Sequence, residues 1–223
     1  AVPININYRY VAGELRYLIE PWGRHDPRAL LPEARTVIVT ALPHPPATPG
    51  GGPRPGLVPR FARDGDYHDR VRSRLTALAA RAAALADRVV RAHACVDSAP
   101  LLEHAFAARA GVGFTGRNTL TIVPGAGSQV ALGELLVDLA LPPDPPLAPR
   151  CGRCQRCIVA CPTGALLGPY CLDARRCIAY LTIELKGSIP RDLRPAIGGW
   201  VFGCDRCQDI CPYEAARRRA VAP

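Results

Sequence analysis

Apolar residues along this chain follow two different periods, and the two alternate. Thr36-Val37-Ile38-Val39-Thr40-Ala41-Leu42 is an unbroken, β-branched run, the signature of a buried strand. Val71, Leu75, Leu78, Ala82, Leu85 and Val89 recur at spacings of four and three, which puts them on one face of a long helix with Asp66 as its N-cap. The pattern then predicts a strand over 93–97, a helix over 100–109 closed by Gly111, and strands over 118–123 and 130–138 around a Gly125–Ser128 turn. Residues 1–34 read as a helical region whose last piece, from Asp26-Pro27, is stopped by Pro32, and the Pro/Gly-rich stretch 43–59 reads as a long loop.

Strands alternating with helices predict an α/β (α+β) sheet domain over 1–140. The proline-rich stretch 141–149 reads as a stiff linker, 150–215 as a small separate lobe, and 216–223 as a basic tail. With 223 residues the chain can bury one good core and a small lobe beside it. No apolar run approaches the ~20 residues of a membrane span. The chain has no Met, even at position 1, and stops soon after Arg217-Arg218-Arg219, so it reads as shortened at both ends.

The lobe carries the chemistry. Cys151-x2-Cys154-x2-Cys157-x3-Cys161-Pro162 is the bacterial ferredoxin spacing, in which the fourth Cys serves the other cluster. Cys204-x2-Cys207-x3-Cys211-Pro212 repeats it with one Cys missing, and either Cys171 or Cys177 can complete the eight. Two 4Fe–4S clusters with crossed ligands follow: Cys151, Cys154, Cys157 and Cys211 for one, and Cys161, Cys204 and Cys207 with the eighth Cys for the other. Structural zinc prefers paired knuckles, and disulfide frameworks belong to small secreted domains, so both fit less well. Cys95, in an apolar run, reads as a small buried hydrophobe.

The formal charge is +9, from 28 Lys+Arg against 19 Asp+Glu. Two clusters at about −2 each lower it to roughly +5. A basic surface suits phosphate backbones, although a coding bias toward Arg explains why Lys186 is the single Lys. Aromatic residues make up only 6%, few for a face that stacks on bases. Arg175, Arg176, Lys186, Arg191 and Arg194 form the candidate phosphate-binding group.

Three strings are specific enough to identify a family. They are Cys177-Ile178-Ala179-Tyr180-Leu181-Thr182-Ile183-Glu184, Phe202-Gly203-Cys204 through Cys211-Pro212, and Leu132-Gly133-Glu134-Leu135-Leu136-Val137-Asp138. Together with Val96-Asp97-Ser98-Ala99-Pro100 and Asp66-Tyr67-His68, they resemble the epoxyqueuosine reductase family over nearly the whole chain. The resemblance implies Cys177 as the eighth cluster ligand, a cobalamin held by the sheet domain, and reduction of the epoxide of epoxyqueuosine at a tRNA wobble position. It implies Asp97 as proton donor, enclosed beside the corrin and so kept protonated. It further implies Thr121, Val123, Leu132, Tyr180, Glu184 and Gly187 beside the cofactor, with Asp66, His68 and His104 toward the substrate.

The partners implied are the modified tRNA and an external electron donor; a cytoplasmic, membrane-free monomer is expected. The chain departs from the family's usual pattern at His104, at Arg117-Asn118 and at Ala41-Leu42-Pro43-His44. A reductive dehalogenase-like enzyme shares the corrin-and-clusters plan, and a ferredoxin-type carrier would need the lobe alone. A non-catalytic tRNA-binding module rests on the charge alone.

Overall fold

The computed structural model describes residues 26–45 and 56–221, with side chains described through Ala216. The expectations for residues 1–25, for the middle of the 43–59 loop and for the tail's arginine side chains lie outside those residues.

Three strands form the main sheet: β1 (Thr36–Pro43), β2 (Ala92–Cys95) and β5 (Val130–Val137), in the order β1-β5-β2. Both neighbours run antiparallel to β5, with Thr36 opposite Val137 on one side and Ala92 opposite Val137 on the other. β1 and β2, joined through the long helix, therefore run in the same direction, and β5 enters between them against both. The arrangement is mixed α+β, with helices on both faces of an antiparallel sheet.

β5 is buried almost end to end, and its alternate residues serve two faces. Ala131, Leu135 and Val137 pack under α1 (Tyr67–Ala86) against Val71 and Leu75. Gly133 lets that helix close in, since a Cβ there would stand 2.5 Å from Val71 Cγ1. Leu136 faces the other way, joining Cys95 and Leu101 beneath α2 (Glu103–Arg109).

Asp66 caps α1 as expected, accepting the His68 backbone N–H at 2.8 Å. The helix ends sooner than its apolar stripe implied: Asp87 turns left-handed, and Leu85 and Val89 are 77% and 87% exposed. The predicted strand 118–123 shrinks to β4 (Thr121–Ile122), paired with β3 (Phe114–Thr115). The predicted helix 100–109 begins only at Glu103, after a loop over 97–102.

Short elements build the lobe: α3 (Arg156–Ala160), the hairpin β6 (Leu166–Gly168) and β7 (Cys171–Leu172), α4 (Ile178–Ile183), α5 (Arg194–Ile197), α6 (Arg206–Asp209) and α7 (Pro212–Val221). Ile178, Tyr180, Leu181, Leu193, Ile197 and Trp200 give it a core of its own. A buried arginine clasps the lobe to the rest. Arg60 donates its backbone N–H to Asp205 Oδ2 at 2.7 Å and its guanidinium to Glu214 and Asp209. Glu214 is also what makes Gly127 necessary, for that residue has φ 75° and a Cβ there would stand 2.4 Å from Glu214 Oε2.

Candidate functional site

Sheet and lobe enclose a cavity of about 330 Å³, open on one side. Its lobe wall carries Cys161, Cys177, Cys204 and Cys207. Its sheet wall carries Asp97, Glu103, His104, Thr121 and Leu132. A second cavity, of about 260 Å³, is lined by Cys151, Cys154, Cys157 and Cys211. The eight cysteines thus divide into the two crossed sets of four, and Cys171, on β7, lines neither cavity. All ten cysteines are free of disulfides.

The thiol environments fit a bound cation. Burial pushes Cys204 up to about 11 and also raises Cys157, Cys177, Cys207 and Cys211. Burial acts on Cys161 too, but the Leu166 backbone N–H and the Thr163 hydroxyl outweigh it and lower that thiol. Thiols gathered in this way ionise fully only when a metal compensates them. Among the described residues no group of three His, Cys, Asp or Glu side chains converges on a single-ion position. Corner ligands of a four-iron cubane stand farther apart than four donors around one zinc.

On the sheet side, Asp97 follows β2 and Val96 in left-handed backbone, φ 38°. His68 Nε2 approaches Asp97 Oδ2 at 3.2 Å, while its Nδ1 lies 2.7 Å from Asp66 Oδ1. One hydrogen-bonded row therefore joins three of the predicted residues. The enclosed setting expected for Asp97 is not found, since its side chain is 62% exposed at the cavity's rim. The enclosed acids are its neighbours. Burial pushes Glu103 up to about 7, and burial together with the facing Glu103 carboxylate pushes Glu134 up to about 9.

His104 Nδ1 meets Thr121 Oγ1 at 2.7 Å, facing the cavity, and desolvation holds the imidazole below its ordinary pKa. His44, Phe61 and Tyr67 form an aromatic wall, His44 edge-on to Tyr67 with centroids 5.7 Å apart. Asn118 Nδ2 and Ser128 Oγ are buried in the cavity wall with no hydrogen-bond partner among the described residues.

Val123, Tyr180, Glu184 and Gly187 do not line the cavity. Val123 bridges to Gly127, Tyr180 belongs to the lobe core, and Glu184 caps the end of α4. Of the candidate phosphate group, Arg175 is bidentate to Asp173, and Arg176 donates to the Thr163 carbonyl oxygen at 2.9 Å. Lys186 and Arg191 are exposed.

A family model described as epoxyqueuosine reductase QueG, DUF1730, matches residues 24–98, and a 4Fe-4S double cluster binding domain matches 150–214. The epoxyqueuosine reductase of Pseudomonas aeruginosa is 46% identical over 213 residues, covering 92% of this chain and 59% of that protein. The chain belongs to the epoxyqueuosine reductase family.

A solved epoxyqueuosine reductase with an epoxyqueuosine-modified tRNA-Tyr stem loop superposes with TM-score 0.82 at 35% identity, over 93% of this chain and 56% of that one. The Bacillus subtilis family member, solved with an aspartate-bearing catalytic loop swung out of the active site, gives 0.79 at 36% identity over 87% and 53%. The chain spans between 51% and 59% of the length of the curated family members from Escherichia coli and Pseudomonas aeruginosa.

Sequence reading missed Glu103 and Glu134. The signal for Glu134 was present, as an acid inside the apolar run Val130–Val137. Glu103 gave no comparable signal, since an acid in the first turn of a helix is ordinary.

Proposed function

We propose that this chain forms the catalytic part of an epoxyqueuosine reductase, an oxidoreductase removing the epoxide oxygen of epoxyqueuosine at a tRNA wobble position, the final step of queuosine synthesis. The observation that carries the reading is the shared cavity. Four cluster-type cysteines form one wall, and Asp97 with His104 stands on the other. Electrons and protons converge there, and the reaction needs two of each, releasing water as the epoxide carbons become an alkene.

The cavity also suits a cobalamin. Thr121 and Leu132 line its floor, the aromatic wall of His44, Phe61 and Tyr67 can lie against a flat ring, and the unpartnered Asn118 Nδ2 and Ser128 Oγ can meet amide arms. When bound, cobalamin supplies a low-valent, strongly nucleophilic cobalt. Asp97 gives its proton to the epoxide oxygen as the ring opens, and His68 orients that carboxyl and draws on Asp66 behind it. His104 and Thr121, hydrogen-bonded to each other, would help hold the cofactor, and the aromatic residues would keep bulk water away. An external donor supplies the electrons, and the cytoplasm, where thiolates stay reduced and tRNA is available, is the setting. The exposed Lys186 and Arg191, beside Arg194, offer contacts to tRNA phosphates. The relative bound to a modified stem loop supports that partner.

Anaerobic iron–sulfide reconstitution, cobalamin addition and desalting test the assignment. Retained cobalamin absorption over the broad cluster band, followed by conversion of an epoxyqueuosine stem loop with a chemical reductant, is the expected result. Clusters without cobalamin, or no conversion by a loaded chain, would overturn it.

A further inference from the structure

Behind the Asp97 loop lies a pair of carboxyls that the proposed chemistry does not use. Glu134 sits on the central strand opposite Val39 on one side and Cys95 on the other, and none of it is exposed. No N–H or O–H donor among the described residues reaches its carboxylate oxygens. It faces the carboxyl of Glu103, at the start of α2. Two carboxyls can hydrogen-bond only if one of them holds a proton. Glu103 in turn accepts the backbone N–H of Asp97 at 2.5 Å. That N–H belongs to a residue in left-handed backbone, which costs any side chain but glycine's.

We infer that Glu103 is a positioning residue for Asp97, holding its loop turned into the cavity, and that a proton shared with Glu134 keeps Glu103 in that role. A hydrogen bond to a carboxylate is stronger than one to a neutral acceptor, so an ionised Glu103 offsets the cost of the left-handed turn. Glu134 keeps the proton because it is the more deeply enclosed of the two. It donates to the second oxygen of Glu103 and fixes the carboxylate's orientation without burying a second charge. Unsupported, Glu103 could swing into the cavity it lines and release Asp97. The inference deepens the reading of Asp97 as proton donor and rests on it. A catalytic loop in this family can swing out of the active site, as the Bacillus subtilis relative shows, and a latch on the Asp97 loop would oppose such a movement.

Hydrogen exchange on the reconstituted full chain, compared across variants, tests the latch. Glu103→Ala is expected to speed exchange over residues 96–99 by about tenfold or more, the scale of a lost charge-assisted hydrogen bond, with β2 and β5 unchanged. Glu103→Gln, which keeps an acceptor oxygen but not the charge, should restore part of the protection. Glu134→Gln, which keeps a donor aimed at Glu103, should preserve it, and Glu134→Leu should not. In turnover of the stem loop, Glu103→Ala should lower kcat with KM held. Protection over 96–99 that is unchanged in Glu103→Ala, or lost equally throughout the sheet, would overturn the inference. Should Glu103→Ala fail to fold, the contrast between Glu134→Gln and Glu134→Leu decides. The exchange result stands even if no variant, wild type included, turns over, so the latch and the proposed reaction can fail separately.

Discussion

His68 Nε2 lies 3.2 Å from Asp97 Oδ2, tying the first turn of α1 to the loop after β2. Burial works against a charge on His68, but its hydrogen bonds to Asp66 and Asp97 outweigh that and raise its pKa above the ordinary 6.5. A histidine raised on folding stabilises the fold fully below its unfolded pKa and loses that contribution as pH rises through the folded one. His68→Asn should therefore flatten a decline in stability just above about pH 6.5, and lower turnover by removing the group that orients Asp97. Thermal melts across pH, in parallel with kcat, check both effects.

Asp97→Asn preserves shape and removes the transferable proton. Clusters and cobalamin should remain in the absorbance spectrum while turnover falls at least ~100-fold, the usual scale of general-acid catalysis. Turnover within a few-fold of wild type would remove Asp97 from that role.

The pair beneath it makes a prediction of opposite origin. Glu103 and Glu134, ordinarily near 4.5, stand at about 7 and about 9. Acids raised on folding stabilise while protonated. Their contribution is whole below about 4.5 and is lost as pH climbs through the two folded values. Denaturant unfolding from acid to alkaline pH should show a loss on the order of a few kcal/mol that Glu134→Gln largely abolishes.

Iron content distinguishes the cysteines. Wild type should hold about eight irons per chain, Cys177→Ser about four, and Cys171→Ser about eight. An equal loss in Cys171→Ser would exchange the roles of the two residues.

Arg60→Met leaves a fully buried Glu214 facing a side chain without charge. The expected loss of stability is ~3–5 kcal/mol, read from unfolding of the reconstituted chain.

What the sequence made legible was mostly local. The Cys151-x2-Cys154-x2-Cys157 spacing needs no knowledge of the fold, because a cluster imposes it on a single loop. Asp66 announced the start of α1 for the same reason. Apolar periodicity located β5 to within a residue, yet could not say that both partner strands run against it, because strand direction is fixed by connections far apart in sequence. It overran α1 as well: Leu85 keeps the stripe's spacing yet is exposed, and Val89 lies beyond the helix. The exposure of Asp97 and the closeness of Glu103 to Glu134 arise where three separated segments meet, and no single window contains them.

Asn118 belongs to the walls of both cavities. At that point the partition between the two cysteine sets is one side chain thick. Electron tunnelling falls off steeply with distance, while protons and water need a continuous polar passage. A thin wall there would act as a selective barrier, conducting for charge and insulating for solvent. Added bulk at Asn118 is thus expected to be felt as a slower current between the two sides.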